Sequence, residues 1–326
     1  MKVTNPTRRT LRRRIAWAAG IVLLVLLTAT AGGANYLLGY ALDAQPRSRN
    51  LDKAWTEMDS LYPGLIAWRD SLQTAHNWTH LRMAGADGTP LHAVLIRAPR
   101  PTRRTAVLVH GYTDCHVRMM QLARMYADSL SANVLVPDLH SAGLSGGQHV
   151  RMGWLDRLDV EKWVRQLPRF VGDSVQTVIH GVSMGAATTL MVSGDADVPA
   201  FVRAYVDDCG YTSVDAQFTK ELKERFGLPR WPLIPAASAL CRMRYGWTFA
   251  EASALEQVRK ATRPVLFIHG SADDFVPTRM GRELFAACPT RSGLWIAPDA
   301  PHARSYKLHP QEYRLRVERF LQGVGM

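Results

Sequence analysis

Hydrophobic residues beyond position 77 fall into eight short apolar runs, separated by segments with helical periodicity. The first two runs flank Asp87-Gly88, a pair typical of a hairpin turn. From the third run onward a helix-length segment follows each run, as in βαβ units. The pattern predicts an α/β fold with an eight-stranded, mostly parallel sheet, an antiparallel start and helices on both faces. The predicted strands are Trp78–Met83, Leu91–Ala98, Thr105–His110, Asn133–Pro137, Gln176–His180, Ala204–Asp207, Pro264–His269 and Leu294–Ala297.

The interval 212–262 interrupts this alternation. It is rich in aromatic residues and contains three prolines, which predicts two or three helices. Such an insertion either packs as ordinary helices or forms a helical cap that lines an acyl or side-chain pocket. The residues that set it apart are Phe218, Phe226, Pro229, Trp231, Pro232, Pro235, Tyr245, Trp247 and Phe249.

The N-terminal segment has a different pattern. No charged residue occurs from Ile15 to Leu42, which is long enough for a transmembrane helix. Six basic residues precede it and no acidic residue occurs before Asp43, so the N-terminus is expected in the cytoplasm. The sequence therefore predicts a single-pass protein of the plasma (inner) membrane, with everything after Asp43 outside the cytoplasm.

A cleaved signal peptide is the alternative. Ala29-Thr30-Ala31 resembles a cleavage site after an apolar core of suitable length. Apolar residues resume after it, from Tyr36 to Leu42, which favours an uncleaved anchor. The expected organisation is a basic tail (1–14), an anchor or signal segment (15–42), a juxtamembrane segment (43–77) with a helix around Leu51–Leu61, and an α/β domain (78–326) with the insertion at 212–262.

Charge and cysteine content narrow the classes of partner and cofactor. The formal net charge is +12, and the N-terminal tail supplies six of the positive charges. The rest of the chain has no basic stripe interleaved with aromatics, which argues against a nucleic-acid partner. The four cysteines form no C-x-x-C pair and no histidines lie at metal-ligand spacing, so neither a metal nor another cofactor is expected. Buried free thiols are the default, although export would permit disulfides.

The strongest chemical motif is His180-Gly181-Val182-Ser183-Met184-Gly185, directly after the fifth apolar run. It matches G-x-S-x-G, in which a sharp strand-to-helix turn lifts a serine hydroxyl above the sheet. Ser183 is therefore the predicted nucleophile. The small residues Ala186 and Ala187 suit the helix that must follow closely.

A serine of this kind needs a base and an acid that orients the base, in the order Ser, acid, His. His302 lies in a loop just past the last predicted strand and is the predicted base, whereas His309 precedes Pro310 and is expected to start the terminal helix. Asp273, after the seventh strand, is the predicted acid. Its neighbour Asp274 is the residue most easily mistaken for it, and Asp207 and Asp208 at the end of the sixth strand are a second possible place for the acid.

The tetrahedral intermediate requires backbone donors directed at its oxyanion. The N–H of Met184, next to the nucleophile, is one expected donor. The other is the N–H of Tyr112, in the loop after the third strand. His110, His180 and His269 each precede a glycine at a strand end and are expected to have structural roles.

These motifs together resemble a known group, the bacterial membrane-anchored α/β-hydrolases of the serine aminopeptidase and monoglyceride-lipase-like type. The resemblance covers residues 78–322 and implies an α/β-hydrolase fold with a Ser183–Asp273–His302 triad. One departure is that His140 and Ser141 replace the Arg and Gly of a D-x-R-G-x-G-x-S segment, which puts the contacts of that Arg in doubt. The motifs are HGYTD (110–114), PDLHSAGLSGG (137–147), HGVSMGAAT (180–188), DDCGYTS (207–213), HGSADDFVP (269–277) and PHARSY (301–306).

The resulting prediction is a serine hydrolase that cleaves an ester, thioester or amide through an acyl-serine intermediate. Carboxylesterase action is the first choice and aminopeptidase-type action the second, with a small-molecule, lipid or peptide substrate. The alternative of another class is a non-catalytic surface binding module, because a fold does not dictate a function. The residues leave the oligomeric state open.

Overall fold

The computed structural model describes residues 6–290 and 293–326. Contacts divide the chain into two compact units, one formed by residues 1–41 and 218–248, the other by residues 42–217 and 249–326. The strands are β1 (Trp78–Ala84), β2 (Pro90–Ile96), β3 (Arg104–Val109), β4 (Asn133–Pro137), β5 (Gln176–Val182), β6 (Val202–Asp208), β7 (Val265–Gly270) and β8 (Gly293–Ala297). The helices are α1 (Pro6–Leu42), α2 (Leu51–Leu61), α3 (Leu65–Thr74), α4 (Met120–Arg124), α5 (Asp156–Val171), α6 (Met184–Ser193), α7 (Val214–Phe226), α8 (Leu233–Tyr245), α9 (Ala254–Val258), α10 (Thr278–Ala287), α11 (Ser305–Leu308) and α12 (Pro310–Gly323).

The second unit contains one eight-stranded sheet in the order β1-β2-β4-β3-β5-β6-β7-β8. The two pairings that involve β2 are antiparallel, and all other pairings are parallel. The predicted architecture is confirmed, including the hairpin at Asp87-Gly88. Each predicted strand differs from the observed one by at most two residues at either end, because short apolar runs between turn residues mark buried strands closely.

The core of this unit lies between the sheet and the helices that cover it. Val94, Ala106, Leu108 and Val178 from the central strands are at most 1% exposed and belong to one cluster. Helices α2 and α3 add Trp55, Met58 and Trp68 to that cluster, and α12 adds Tyr313, Val317 and Leu321. Full burial of a large apolar side chain stabilises a fold by about 1.5–3 kcal/mol, so the segment 43–77 is an integral part of this unit.

The residues that follow α1 are paired with the loop between β4 and α5. Asp43 forms a β-bridge with His149, and the N–H of Val150 donates to the carbonyl of Leu42 at 2.6 Å. Farther on, the carbonyl of Ser48 accepts a hydrogen bond from the N–H of Gly143 at 2.8 Å.

The first unit is helical. It contains most of α1 and the helices α7 and α8 of the predicted insertion, with α7 extending into it from the second unit. Aromatic rings of α1 and α7 are in contact. The ring centroid of Phe226 lies 6.5 Å from that of Tyr36 and 5.7 Å from that of Tyr40, in edge-to-face geometry. With α9, the interval 212–262 holds three helices, within the predicted range.

Candidate active site

The backbone around Ser183 forms the sharp turn that the motif predicts. β5 ends at Val182 and α6 begins at Met184, so Ser183 alone connects strand to helix, with φ 58° and ψ −118°. A side chain on Gly181 would overlap the carbonyl of Gly185, and one on Gly185 would overlap that of Val109. Glycine is therefore required at both positions because the backbones approach so closely.

Three side chains from separate loops meet at this turn. The Oγ of Ser183 lies 2.8 Å from Nε2 of His302, and Nδ1 of His302 lies 2.8 Å from Oδ2 of Asp273. Since a carboxylate only accepts hydrogen bonds, Nδ1 of His302 carries the proton and Nε2 accepts from the hydroxyl. The structure thus brings together all three residues of the predicted triad.

The acid position is distinguished by its electrostatics. Burial would raise the pKa of Asp273, but hydrogen bonds from His269 and His302 outweigh burial and lower it to about 2. By contrast, burial raises the pKa of Asp207 to about 7 and that of Asp208 to about 6. Only an ionised carboxylate can stabilise an imidazolium well, so Asp273 suits the orienting role best. Asp274 is exposed to solvent.

His269 is a contact of the acid that sequence reasoning assigned only a general structural role. Its Nε2 donates to the carbonyl of Val276 at 2.8 Å and lies 3.3 Å from Oδ2 of Asp273. The Oδ1 atom of Asp273 accepts from the N–H groups of Phe275 and Val276 at 3.1 and 2.9 Å. The carboxylate is therefore held on both oxygens, which fixes its orientation toward His302.

The loop after β3 lies against the nucleophile. A methyl group on Gly111 would be 3.5 Å from Cβ of Ser183, so the loop that carries Tyr112 passes close to the serine. Met184 is the first residue of α6, where N–H groups have no acceptor within the helix. Both predicted oxyanion donors therefore belong to backbone segments beside Ser183.

The carboxylate of Asp138, directly after β4, holds the segment that follows this loop. The sequence did not indicate this role. Its buried carboxylate accepts from the N–H of His116 at 2.7 Å and from the N–H of Leu144 at 3.0 Å. Nδ1 of His92 and Nδ1 of His116 also bond to it, at 2.7 and 2.9 Å. Burial would raise the pKa of Asp138, but these histidine contacts hold it well below its usual range.

The histidines beside Asp138 continue as a directed chain. The Nε1 N–H of Trp78 donates to Nε2 of His80, whose Nδ1 lies 2.8 Å from Nε2 of His92. Each ring thus accepts on Nε2 and donates from Nδ1, and the last proton points at Asp138. His92, His116 and Asp138 lie close enough together to be candidate ligands of a metal ion. Their imidazole nitrogens and carboxylate oxygens are already hydrogen-bonded to one another.

A second buried network lies behind the nucleophile strand. The hydroxyl of Tyr313 donates to Oδ2 of Asp208 at 2.8 Å and accepts from Nε2 of His180 at 2.9 Å. Nδ1 of His180 then accepts from the hydroxyl of Tyr126 at 3.0 Å. Burial lowers the pKa of His180 to about 3, so the ring is neutral. The carboxylate of Asp208, the alternative acid, is thus hydrogen-bonded to a side chain of α12.

The loop that departs from the D-x-R-G-x-G-x-S pattern is held by contacts of His140 and Arg151. Nδ1 of His140 bonds to the carbonyl of His149 at 2.7 Å, and its ring fills the space beside Gly147. The buried guanidinium of Arg151 contacts Asp87 and, at 3.3 Å, Asp159.

Known proteins are similar to this chain in sequence and in fold. The sequence matches the prolyl oligopeptidase family (Peptidase_S9) over residues 151–324, more than half of the chain. The chain belongs to this family. It is therefore a serine hydrolase, with a small-molecule or peptide substrate, and not a binding module. The uncharacterized protein YqkD of Bacillus subtilis (strain 168) is 33% identical over 228 residues, which are 70% of this chain and 74% of YqkD.

Solved structures share the fold of this hydrolase. The esterase Pf2001 of Pyrococcus furiosus is 22% identical with a TM-score of 0.61, and the match covers 76% of this chain and 92% of the esterase. The acylaminoacyl peptidase of Pyrococcus horikoshii is 16% identical with a TM-score of 0.59, and the match covers 75% of this chain and 41% of the peptidase. These likenesses confirm the α/β-hydrolase fold.

The four cysteines form no disulfide with one another; three are buried and Cys288 is half-buried. Among the residues that the structure describes, one helix, Thr10–Leu42, is long and apolar enough to cross a membrane, which fits an anchor or a signal sequence. His309 directly precedes α12, as expected of a helix-starting residue, and its Nε2 bonds to the carbonyl of Pro298 at 2.7 Å.

Proposed function

We propose that Ser183 is the nucleophile, His302 the general base and acid, and Asp273 the residue that orients His302. The observation that carries this proposal is the unbroken line of hydrogen bonds from the Ser183 hydroxyl through the imidazole to the carboxylate, each 2.8 Å long. A serine hydroxyl becomes an effective nucleophile only when a positioned base takes its proton.

The chemistry proceeds in two halves. Oγ of Ser183 attacks the acyl carbon while its proton passes to Nε2 of His302, and the carbonyl oxygen becomes an oxyanion held by the N–H groups of Met184 and Tyr112. The bond to the leaving group then breaks, and that group takes the proton from His302. Water repeats the sequence on the acyl-serine, which releases the acid and restores the hydroxyl.

For the substrate we propose a carboxylic ester first and a peptide N-terminus second. The likeness to the esterase covers 92% of that chain, whereas the likeness to the acylaminoacyl peptidase covers 41% of that chain. The first match extends over nearly the whole esterase and therefore favours ester hydrolysis. A lipid ester or a thioester would use the same acyl-serine route.

A substrate panel tests this choice. Purified enzyme is assayed with p-nitrophenyl esters of increasing acyl length and with aminoacyl p-nitroanilides, and kcat/KM is compared across the two series. We expect ester turnover well above anilide turnover. A preference for the anilides would instead assign the enzyme to the peptidases.

We further propose that α1 is an uncleaved anchor, with the N-terminus in the cytoplasm and the hydrolase unit on the outer side of the plasma membrane. Support comes from the 20 residues Thr10–Ala29, all exposed in a single helix. Placing Lys or Arg at the membrane centre costs about 2.5–3.5 kcal/mol per residue, so the basic tail should remain on the cytoplasmic side.

Topology is tested with C-terminal reporters. A fusion to alkaline phosphatase should be active, a fusion to a fluorescent protein that matures only in the cytoplasm should be dark, and both should sediment with membranes. A bright fluorescent fusion with an inactive phosphatase would reverse the orientation. A soluble product shortened by about 31 residues, the length of a typical signal peptide, would replace the anchor with a cleaved signal.

A further inference from the structure

Helix α1 has two parts with different surroundings. Every residue from Thr10 to Ala29 is exposed, whereas beyond Ala29 positions three or four residues apart are buried or half-buried. Ala34 and Leu38 are each only 1% exposed. From Ile15 to Ala29 the helix is thus both apolar and exposed, and this stretch is its exposed part. Beyond Ala29 lies the packed part, which is buried along one face.

The exposed part of α1 is too short to cross a bilayer by itself. Arg14 is the last charged residue before Asp43, so the apolar span begins at Ile15. From Ile15 to Ala29 the helix extends about 22 Å at 1.5 Å per residue, whereas the hydrocarbon core is about 30 Å thick. The span must continue for about five more residues. It therefore reaches Ala34 and includes the first packed turn.

The turn between α7 and α8, residues 227–232, lies beside that packed turn. A methyl group on Gly33 would be 3.0 Å from Cδ2 of Leu233, so the start of α8 is level with Gly33. The end of α7 lies farther from the membrane, because Phe226 contacts the rings of Tyr36 and Tyr40. From α7 to α8 the chain thus descends along α1 toward the bilayer.

The side chains of this turn suit the layer of lipid headgroups. Trp231 is 73% exposed and Leu228 is 40% exposed, and tryptophan is enriched where membranes meet water. The same turn contains Arg230, a cation that complements the phosphate of a lipid headgroup.

We propose that the α7–α8 turn is a membrane-contact site that places Trp231 and Leu228 in the headgroup layer of the bilayer crossed by α1. The proposal rests on the proposed anchoring by α1. This turn is accordingly in contact with lipid and is not surrounded by water.

A fluorescent probe at the turn tests this placement. Full-length Trp231→Cys protein, in a Cys288→Ser background, is labelled with an NBD dye and reconstituted into vesicles of phosphatidylcholine and phosphatidylglycerol. The other three cysteines are at most 1% exposed and should remain unlabelled. The matched control is Asp173→Cys in the same background, at an exposed residue of the second unit.

We expect nitroxide-labelled lipids to quench the dye at position 231 and aqueous iodide to quench it several-fold less than the dye at position 173. Quenching by iodide alone at both positions, in protein that sediments with the vesicles, would overturn the membrane contact while leaving the anchor intact. Protein that fails to stay with the vesicles would overturn both proposals. A dye protected from iodide but not quenched by lipid, with protection that depends on protein concentration, would assign the turn to contact with a second copy instead.

Discussion

Replacing Ser183 with alanine is expected to lower kcat by about 10⁵–10⁶-fold while the protein stays folded. The hydroxyl is the atom that bonds to the acyl carbon, and no other group in the site replaces it. The side chain lies in a strained turn but makes a single described hydrogen bond, to His302. Stability should therefore change little.

The measurement combines ester turnover with labelling by a fluorophosphonate probe, which reacts covalently with activated serines. Ser174→Ala, at an exposed serine of the same unit, is the matched control and should label normally. Labelling of the Ser183→Ala variant at the original rate would assign the nucleophile to another residue.

Replacing Asp273 with asparagine is expected to lower kcat by about 10³–10⁴-fold, with a small effect on KM. Oδ1 of Asp273 accepts from two backbone N–H groups, so the asparagine carbonyl oxygen must take that position. The amide nitrogen then faces Nδ1 of His302 and donates to it. The imidazole proton moves to Nε2, which can no longer accept a proton from Ser183.

Asp274→Asn is the control for this variant, because the neighbouring carboxylate is exposed. It should retain activity close to that of the unaltered enzyme. If Asp274→Asn proved as damaging as Asp273→Asn is expected to be, and Asp273→Asn were mild, the orienting role would pass to Asp274.

The sequence predicted most of the fold because its strands are short apolar runs bounded by turn residues. The candidate triad could also be proposed from the sequence, because Ser183, Asp273 and His302 each lie in the segment that follows a strand, where the carboxyl ends of parallel strands bring side chains together. The G-x-S-x-G motif and the order of the three residues along the chain then singled them out.

The supporting contacts were not accessible, because they join residues distant in sequence through side-chain geometry. Asp138 and His92 are separated by 46 positions, and Tyr313 and His180 by 133. No spacing rule connects such pairs. His180 could be recognised only as a residue at a predicted strand end, with no indication of which ring nitrogen would donate, and His92 was not singled out.

The packing of α1 was missed for a related reason. A run without charges predicts a helix that can cross a membrane, but small and aromatic residues such as Gly33, Ala34 and Tyr36 are acceptable both to lipid and to protein. Burial along one face appears only when the partner helices are present. The division of this helix into an exposed part and a packed part could therefore be seen only in the structure.

If α1 is the anchor proposed above, the pairing of the chain directly after α1 affects how a protease could release the hydrolase from the membrane. Proteases cut exposed, extended segments that can fit into their active-site clefts, and such segments are usually poorly hydrogen-bonded. Here Leu42 and Asp43 pair with residues 149–150, and Ser48 bonds to Gly143. The described chain has no unpaired, extended linker at this point, so cleavage by a protease would first require this pairing to open. The rate of release should therefore follow the local opening of these hydrogen bonds.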